Sequence, residues 1–473
     1  MKKKLNFIIS VLLIATMMIG LFSTPAASYE NDVKTSSSAM LLVNLDTDTV
    51  CYSVEPDRKR YASYMSELMT FIVAAEAIDA PEKRKVEVKQ SFIDSLPHSD
   101  GALDLFIGET LTLKDLMTIM MLNSGSDAAY LIADTVTGGD VAHFVELMNQ
   151  KAAQIGCDRS QFVTPGYSES NQHYTTCRDI YKMFKRMYQI PLYQEIMESP
   201  TYIPPGFEIE EEQPDNTDKR NPKPDTEIEQ EYEITTENSY INPASPYYFR
   251  YATGGKYSFD PTAKANFMAT TRYRGKSYIF VAMHGKNSAE ENVFADARRM
   301  AVWAYLNLSD RKVIDADDSI STYRVTARWG EYDVGLYASN SAFKTLPMNY
   351  EMDKFAYEIS ISEHTTLPVF AGQSIGTAKI YYDGERIDDV NLVSSSGEGV
   401  SLLGDVSRFG IYAFSEILSN EPPEDALEDQ PIVIIVAPPT EAPTAAPTQA
   451  PAQTSTQAPT ESDEEQSYEN SEG

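Results

Sequence analysis

Residues 61–70, YASYMSELMT, place hydroxyl and carboxylate side chains at the start of an amphipathic stretch. Ser63 and Tyr64 are candidate nucleophiles, but a hydroxyl of either kind needs a neighbouring base to activate it. Glu67 is a weak base for this purpose, and no lysine follows at helical spacing, since Lys59 precedes the stretch. We therefore interpret Ser63 as a helix N-cap, a position that serine favours.

Two later stretches, NSGSD and YATGG, carry further hydroxyl groups. Ser124 and Ser126 belong to the first stretch and Thr253 to the second, and all three also suit the local turns. Lys256 is the cation that follows the second stretch. Because lysine is mostly exposed in proteins, we interpret Lys256 as a solvated residue near a strand end.

Metal and disulfide chemistry are not indicated by the sequence. The histidines never recur at H-x-x-x-H spacing, and the cysteines form no C-x-x-C pattern. We predict no metal site and no cofactor, and we expect core or surface roles for the histidines. One bridge between two cysteines stays open. The residues concerned are His98, His143, His173, His284, His364, Cys51, Cys157 and Cys177.

The composition restricts the class of partner. The chain has 473 residues, enough for two domains plus tails, and its formal net charge is −31. Such an acidic balance argues against a nucleic-acid-binding face and against electrostatic binding to anionic lipid. It is typical of a soluble, charge-stabilised protein.

The first 28 residues have the layout of a secretory signal peptide. Three lysines at 2–4 precede an apolar run over 7–22, and small residues around 26–28 offer a cleavage site. An uncleaved anchor is the alternative. No other stretch is apolar over the length that a bilayer requires. We predict a secreted, extracellular protein and leave open whether it is retained at the cell wall.

Hydrophobic periodicity orders the elements that must position the candidate groups. SAMLLVNLDTDTVCYSV is typical of a β-hairpin. Apolar residues from Met65 to Val73 form one face of a buried helix, and this apolar face ends near Glu76. Further helices are predicted over TLKDLMTIMML with Thr112 as N-cap, over AAYLIADTV, over residues 141–155 and over TCRDIYKMFKRMYQ. The first domain is completed by the strands YYFRYATGG, KANFMATTRYR and KSYIFVAMHG and by the helix ADARRMAVWAYL, and this order of elements predicts an α+β or α/β domain.

The later part of the chain changes texture. Residues 208–238 are acidic and dotted with proline, which predicts an exposed insertion. Alternating runs such as YRVTARW, FAYEISIS and AKIYYDGERI predict a small all-β domain, and the Pro/Thr-rich end predicts an extended spacer. The predicted organisation is a signal peptide (1–28), an α+β domain (29–312), a β domain (313–405) and a linker with an acidic tail (406–473).

The order of these motifs resembles that of the D-alanyl-D-alanine carboxypeptidases, the low-molecular-mass penicillin-binding proteins of the serine β-lactamase-like superfamily. LLVNLDTDTVCYSVEPDRKRYAS looks like the family's opening hairpin, and GETLTLKDLMTIMMLNSGSDAAYLIADTVTG resembles its second-motif region throughout. The resemblance covers about residues 38–308, and residues 315–405 look like the family's C-terminal module. It implies a transpeptidase-like α+β fold, an antiparallel sheet with a helical cluster, followed by an all-β domain.

The resemblance also implies a chemistry. In this family a serine attacks the penultimate D-alanine carbonyl of a cell-wall peptide, and a lysine one helical turn later takes the serine proton. A Ser-x-Asn loop assists, and a Lys-Thr-Gly strand holds the substrate carboxylate. With SELMT matched to the first motif, Tyr64 occupies the nucleophile position and Glu67 occupies the lysine position.

The other two motifs are also incomplete. In SGSDAA, Ser124 is kept and Ser126 occupies the asparagine position. In YATGG, Ala252 replaces the lysine, while Thr253 and Gly254 are kept. No catalytic set is therefore intact.

These substitutions predict a loss of hydrolysis. Removing the nucleophile or its base in a serine hydrolase costs on the order of 10⁶-fold in kcat. At about 6 Å and an effective dielectric constant near 20, one unit charge is worth roughly 3 kcal/mol, so we expect Glu67 and Ala252 to disfavour an anionic peptide terminus.

We expect an inactive homologue that binds a peptidoglycan stem peptide or another cell-wall ligand. The alternatives are an active carboxypeptidase using Ser63 or Ser124 and, more weakly, a β-lactamase. The oligomeric state stays open.

Overall fold

The structure is a computed structural model. It describes residues 29, 31–96, 105–197, 199–204, 233–287, 292–327, 330–361, 372–394 and 433–436. The predicted signal peptide, His98, His364 and most of the predicted insertion and tail lie outside these residues.

The α-helices of the described residues are α1 (Glu67–Ala77), α2 (Gln90–Ser95), α3 (Leu113–Asn123), α4 (Ser126–Thr137), α5 (Val141–Gln154), α6 (Cys177–Met187), α7 (Pro191–Met197) and α8 (Val293–Asn307). The strands are β1 (Ala39–Asn44), β2 (Thr49–Val54), β3 (Arg60–Tyr61), β4 (Lys85–Glu87), β5 (Thr110–Thr112), β6 (Tyr174–Thr175), β7 (Thr201–Tyr202), β8 (Ile234–Thr235), β9 (Ala252–Asp260), β10 (Lys264–Tyr273), β11 (Lys276–Gly285), β12 (Leu308–Ile314), β13 (Ser319–Ala327), β14 (Gly330–Ala338), β15 (Ala342–Pro347), β16 (Phe355–Ile361), β17 (Ser374–Tyr382), β18 (Glu385–Ser394) and β19 (Val433–Val436).

A five-stranded antiparallel sheet of order β2-β1-β11-β10-β9 forms the centre of the first domain. Strand β1 is buried on both faces because its alternate side chains enter different cores. Leu41 packs with helices α1 and α3 to α6 in one core, and Leu42 packs with α8 in the other. The sheet is thus covered by helices on both faces, and β9 lies at its edge.

The predicted α+β elements of this domain are confirmed. The hairpin, the helices and the strands KANFMATTRYR and KSYIFVAMHG are present within a few residues of their predicted ends. Thr112 caps α3 in a capping box: its hydroxyl accepts from the Asp115 N–H at 3.1 Å, and Asp115 accepts from the Thr112 N–H at 2.7 Å. These signals are local, which is why the sequence carries them.

Two segments differ from expectation. The run YYFRYATGG is strand only from Ala252 onward, because residues 245–251 form turns closed by backbone bonds such as Tyr248 N–H to Ser245 C=O at 3.1 Å. The last part of the segment predicted as an exposed insertion (208–238) is packed into the domain and is not exposed throughout. Ile234 and Asn238 are buried, and β8 pairs with β7.

The second domain is the predicted small β unit. Its main sheet has the order β13-β14-β18-β17-β16-β19, and β12 pairs with β15. Strand β16 alternates as predicted, with Phe355, Tyr357, Ile359 and Ile361 buried. Strand β19 pairs with β16 although it lies beyond residue 405, within the stretch predicted as linker. Four apolar residues therefore extend the sheet at an edge that the sequence pattern did not reveal.

Candidate functional site

Tyr64, which the sequence resemblance matches to the family's nucleophile, lies in a short 3₁₀ helix over Ser63–Ser66 that leads directly into α1. Its half-buried ring stacks on the ring of Tyr167, with centroids 4.9 Å apart and planes at 28°. Offset stacking of this kind stabilises both rings beyond their burial. The two tyrosines therefore fill space beside the first motif.

Ser63 does not act as the predicted N-cap. Its backbone is left-handed with φ of 50°, and neither Ala62 nor Ser66 caps a helix with its side chain. The Ser63 hydroxyl instead donates to the Asp260 carboxylate at 2.6 Å and is buried. This bond fastens the start of the helix to the far end of β9, a contact between residues distant in sequence.

Glu67 and Lys256 form an ion pair at the centre of the site. Glu67 Oε2 lies 2.8 Å from Lys256 Nζ, and both side chains are fully buried, with 0% and 1% exposure. Lys256 Nζ also donates to the Met120 carbonyl at 2.9 Å and lies 3.2 Å from Ser124 Oγ. The interpretation of Lys256 as a solvated lysine is therefore wrong, because β9 directs it between α1 and α3.

The environment of Glu67 changes its acidity. Burial raises the pKa of the Glu67 carboxyl to about 7, and the adjacent Lys256 ammonium limits this rise. Glu237 and Asp127 contribute smaller raising effects through their negative charges. The second oxygen, Oε1, has no hydrogen-bond donor among the described residues.

Ser124 connects this ion pair to the surface. It ends α3 in a left-handed conformation, with φ of 52°, and its hydroxyl donates to the Tyr257 carbonyl at 3.1 Å. The carboxyl of Glu237 lies within hydrogen-bonding reach of the same hydroxyl. Glu237 as a residue is exposed, but partial desolvation of its carboxyl raises the pKa, an effect that Lys256 opposes.

Ser126, which the sequence resemblance matches to the asparagine of the second motif, holds a loop in place. Its oxygen accepts from the Tyr167 N–H at 3.1 Å. The Gly166 carbonyl accepts from Ser66 at 2.6 Å, and the Pro165 carbonyl accepts from Thr70 at 2.5 Å. The segment 165–167, which we call the Tyr167 loop, is thus bonded to both α1 and α4.

The third-motif residues are not gathered around Lys256. The register of the β9–β10 pairing shifts at Thr253, which lies between the paired residues Ala252 and Gly254. Ala252 packs half-buried against the second core, and the exposed Thr253 donates its hydroxyl to Thr270 at 2.9 Å. Gly254 faces α7 so closely that an added Cβ would meet Met197 at 3.0 Å.

The arrangement corrects the electrostatic expectation for Glu67. Its charge is buried and compensated by Lys256 at 2.8 Å, so it does not act as a free charge against an approaching carboxylate. The Lys256 ammonium, in turn, has three protons and three acceptors. The Lys256 ammonium is therefore not available as it stands to take a proton from a substrate-attacking hydroxyl.

Sequence reasoning missed the roles of Lys256, Tyr167, Glu237 and Asp260. The sequence did carry a signal for Lys256 and Asp260. Both lie an even number of residues from Gly254, so the three positions fall on the same face of a strand. No comparable local signal marks Tyr167 or Glu237, which reach the site from loops.

The three cysteines are buried free thiols, and burial raises the pKa of each.

The architecture defines a class: an α+β transpeptidase-like domain of the penicillin-binding-protein type, followed by an all-β domain. Solved structures share it. Penicillin-binding protein 5 from Haemophilus influenzae superposes with a TM-score of 0.57 at 18% identity, covering 78% of this chain and 99% of that one. The D-alanyl-D-alanine carboxypeptidase DacD from Francisella tularensis superposes with a TM-score of 0.56 at 18% identity, covering 78% of this chain and 94% of that one. At these identities the likeness shows the fold.

Family models match both domains. Residues 25–203 match D-alanyl-D-alanine carboxypeptidase, and residues 309–397 match the C-terminal domain of penicillin-binding protein 5. The D-alanyl-D-alanine carboxypeptidase DacF of Bacillus subtilis is 22% identical over 79% of this chain and 91% of its own length. The D-alanyl-D-alanine endopeptidase of Escherichia coli is 31% identical over 36% of this chain and 53% of its own length. The chain belongs to the low-molecular-mass penicillin-binding proteins of the D-alanyl-D-alanine carboxypeptidase family.

Proposed function

We propose that this protein is a secreted, catalytically inactive member of its family that acts as a binding or scaffolding protein in cell-wall metabolism. The observation that carries the proposal is the state of Lys256. Its three protons are directed at Glu67, Met120 and Ser124, which leaves no free amine beside a nucleophile. A stacked tyrosine occupies the position where the family has its serine.

The chain belongs to a family whose characterised relatives are D-alanyl-D-alanine carboxypeptidases, and this supports a role in cell-wall metabolism. A peptidoglycan stem peptide or another cell-wall component is the ligand class that follows. The signal-peptide pattern of residues 1–28 supports secretion. Among the described residues no helix is both long and apolar enough to cross a bilayer. The intact mass of the exported protein would show whether the first 28 residues have been removed.

Incubation with benzylpenicillin followed by intact-mass spectrometry tests the loss of catalysis. We expect no covalent adduct on protein that circular dichroism shows to be folded, because the acyl-accepting serine and its lysine are replaced. A family member with an intact Ser-x-x-Lys motif, treated in parallel, shows that the penicillin is reactive. A stoichiometric adduct would falsify the proposal.

One contact favours the second candidate, an active carboxypeptidase with a rearranged site. Lys256 Nζ lies 3.2 Å from Ser124 Oγ, within reach for a serine–lysine pair. Ser63 is the weaker alternative nucleophile, since its hydroxyl is buried and bonded to Asp260. If an adduct forms, Ser124→Ala and Ser63→Ala variants identify the acylated residue. Turnover of a D-alanyl-D-alanine peptide then distinguishes a carboxypeptidase from a β-lactamase.

A further inference from the structure

The main sheet of the second domain ends in a strand that comes from much later in the chain. Strand β19 pairs antiparallel with β16, with Tyr357 opposite Val436 and Ser360 opposite Val433. Residues 395–432 separate β19 from β18 in the sequence, and β17 and β16 lie between these two strands in the sheet. The outer edge of β16 thus takes up a short segment that is distant along the chain. A strand edge presents backbone N–H and C=O groups that can pair with another extended segment.

The rest of the domain holds β16 independently of β19. Strand β16 pairs with β17 over seven residues and with β19 over four. The half-buried Glu358 accepts from Lys379 at 2.6 Å and from Tyr381 at 2.8 Å, and both donors belong to β17. On the opposite face Ile359 and Ile361 belong to a buried cluster with residues of β14, β17 and β18. Removing β19 would therefore free backbone groups at one edge and leave these contacts in place.

The sequence of the segment that occupies this edge is that of a short strand. Residues 432–436 read IVIIV and are all β-branched, a side-chain type that strands favour. The segment lies between Pro431 and Pro438, and neither proline has an N–H to donate to a ladder. The register places positions 434 and 436 on the face of β16 that carries Ile359 and Tyr357, which are buried. Composition and length are thus matched to the four-residue pairing that the structure shows.

We propose that the outer edge of β16 is a docking site for an extended β-branched peptide, and that residues 433–436 are its tethered occupant, which detaches while the rest of the sheet stays folded. Backbone hydrogen bonds supply the affinity, and the apolar face of β16 supplies the preference for β-branched side chains. While docked, the strand holds the Pro/Thr-rich acidic tail to the second domain at residue 436. The site lies outside the first domain, so it does not depend on the chemistry at Lys256.

Fluorescence anisotropy with a labelled peptide tests the docking site. The peptide is QPIVIIVAPP-amide, which corresponds to residues 430–439. One shortened chain ends at Gln430 and lacks the occupant, and its matched control ends at Pro439 and keeps it. A tethered occupant competes at an effective concentration on the order of 1 mM. We therefore expect the peptide to bind the chain ending at Gln430, and to bind the control at least about tenfold more weakly.

A second peptide tests whether the backbone carries the interaction. It has the same sequence with N-methyl groups on the amides of residues 433–436, so it keeps every side chain but loses the donors, and it should not bind. Circular dichroism shows whether both shortened chains are folded. Equal binding to the two chains, equal binding of the N-methylated peptide, or no binding to the chain ending at Gln430 would each overturn the proposal. Dimers of that chain which the peptide does not dissociate would do so too, because a second copy would then be the occupant.

Hydrogen exchange on the full chain tests detachment without any variant. We expect the amides of residues 433–436 to exchange much faster than those of β17, because local opening of an edge strand requires less free energy than unfolding of the sheet. Mass spectrometry of peptic fragments distinguishes the two strands. Exchange of β19 and β17 in one cooperative step would show that β19 is an integral strand and would refute the proposal, even where a shortened chain fails to fold.

Discussion

Glu67 and Lys256 form a pair in which each charge is tolerated because of the other. Both side chains are fully buried, and their charged atoms lie 2.8 Å apart. Removing one partner therefore leaves the charge of the other uncompensated. We expect Lys256→Met to lower the free energy of unfolding by about 3–5 kcal/mol, because it leaves the Glu67 carboxyl buried without its ammonium partner. The double variant Glu67→Gln/Lys256→Met should be less destabilised than Lys256→Met alone, because no buried charge remains, and the single variant Glu67→Gln completes the cycle. Urea denaturation of the four proteins measures this coupling.

Lys185→Met is the matched control for that cycle. Lys185 also pairs with a carboxylate, Asp48, at 2.6 Å, but the two side chains keep 46% and 41% of their surface exposed. Exposed pairs contribute about 0–1 kcal/mol. Equal losses in Lys185→Met and Lys256→Met would show that burial of the central pair has no special energetic weight.

The shifted acidities of Glu67 and His173 predict opposing effects of pH on stability. Folded Glu67 keeps its proton up to a pKa of about 7 against 4.5 for an ordinary glutamate, so its contribution falls as pH rises through that window. Burial lowers the pKa of His173 to about 4 from 6.5, so the unfolded chain binds more protons there and stability rises with pH. Each effect amounts to about 3 kcal/mol.

The consequence is a flat stability profile between about pH 4.5 and 6.5, because the two slopes cancel there. Glu67→Gln removes the falling contribution, so its stability should rise by about 2 kcal/mol across the same window while the parent protein changes little. Urea midpoints measured at half-unit pH steps provide the comparison. Parallel profiles for the two proteins would contradict the assigned acidity of Glu67.

At the scale of elements, the Tyr167 loop is the part that joins α1 to α4. Ser66 donates to the Gly166 carbonyl at 2.6 Å within the buried interior. We expect Ser66→Ala to lower the free energy of unfolding by about 1–3 kcal/mol, since a buried carbonyl loses its donor. Ser95→Ala is the control, because Ser95 makes a similar bond to the Phe92 carbonyl at 2.6 Å but is exposed. Chemical denaturation should separate the two variants clearly.

The elements also show which predictions the sequence can support. The cap at Thr112, the hairpin and the helix periodicities depend on residues a few positions apart, and these predictions were correct. Lys256 and Ser63 were misjudged because their environments come from residues more than 130 positions away, namely Ser124 and Asp260. A general preference of lysine for solvent carries no information about one cavity between two helices and a strand.

At the scale of the whole molecule, the site is a junction of three parts of the first domain. Helix α1 supplies Glu67, the end of α3 supplies Met120 and Ser124, and β9 supplies Lys256. The motif positions therefore cannot be exchanged one at a time. Restoring a lysine at position 67 would place a second ammonium against Lys256 in a buried environment, at a cost of several kcal/mol.

This interdependence predicts the outcome of rebuilding the family site. The variant Tyr64→Ser/Glu67→Lys/Ser126→Asn/Ala252→Lys places the family's residues at the four positions that the sequence resemblance matches to its motifs, yet we expect it to be strongly destabilised and to form no penicillin adduct. Adding Lys256→Met removes the opposing ammonium and should recover folding and measurable acylation. Intact-mass spectrometry after benzylpenicillin treatment, with circular dichroism as the folding control, compares the two proteins. Acylation of the fourfold variant to the same extent as the fivefold one would mean that Lys256 does not hold the site in its present form.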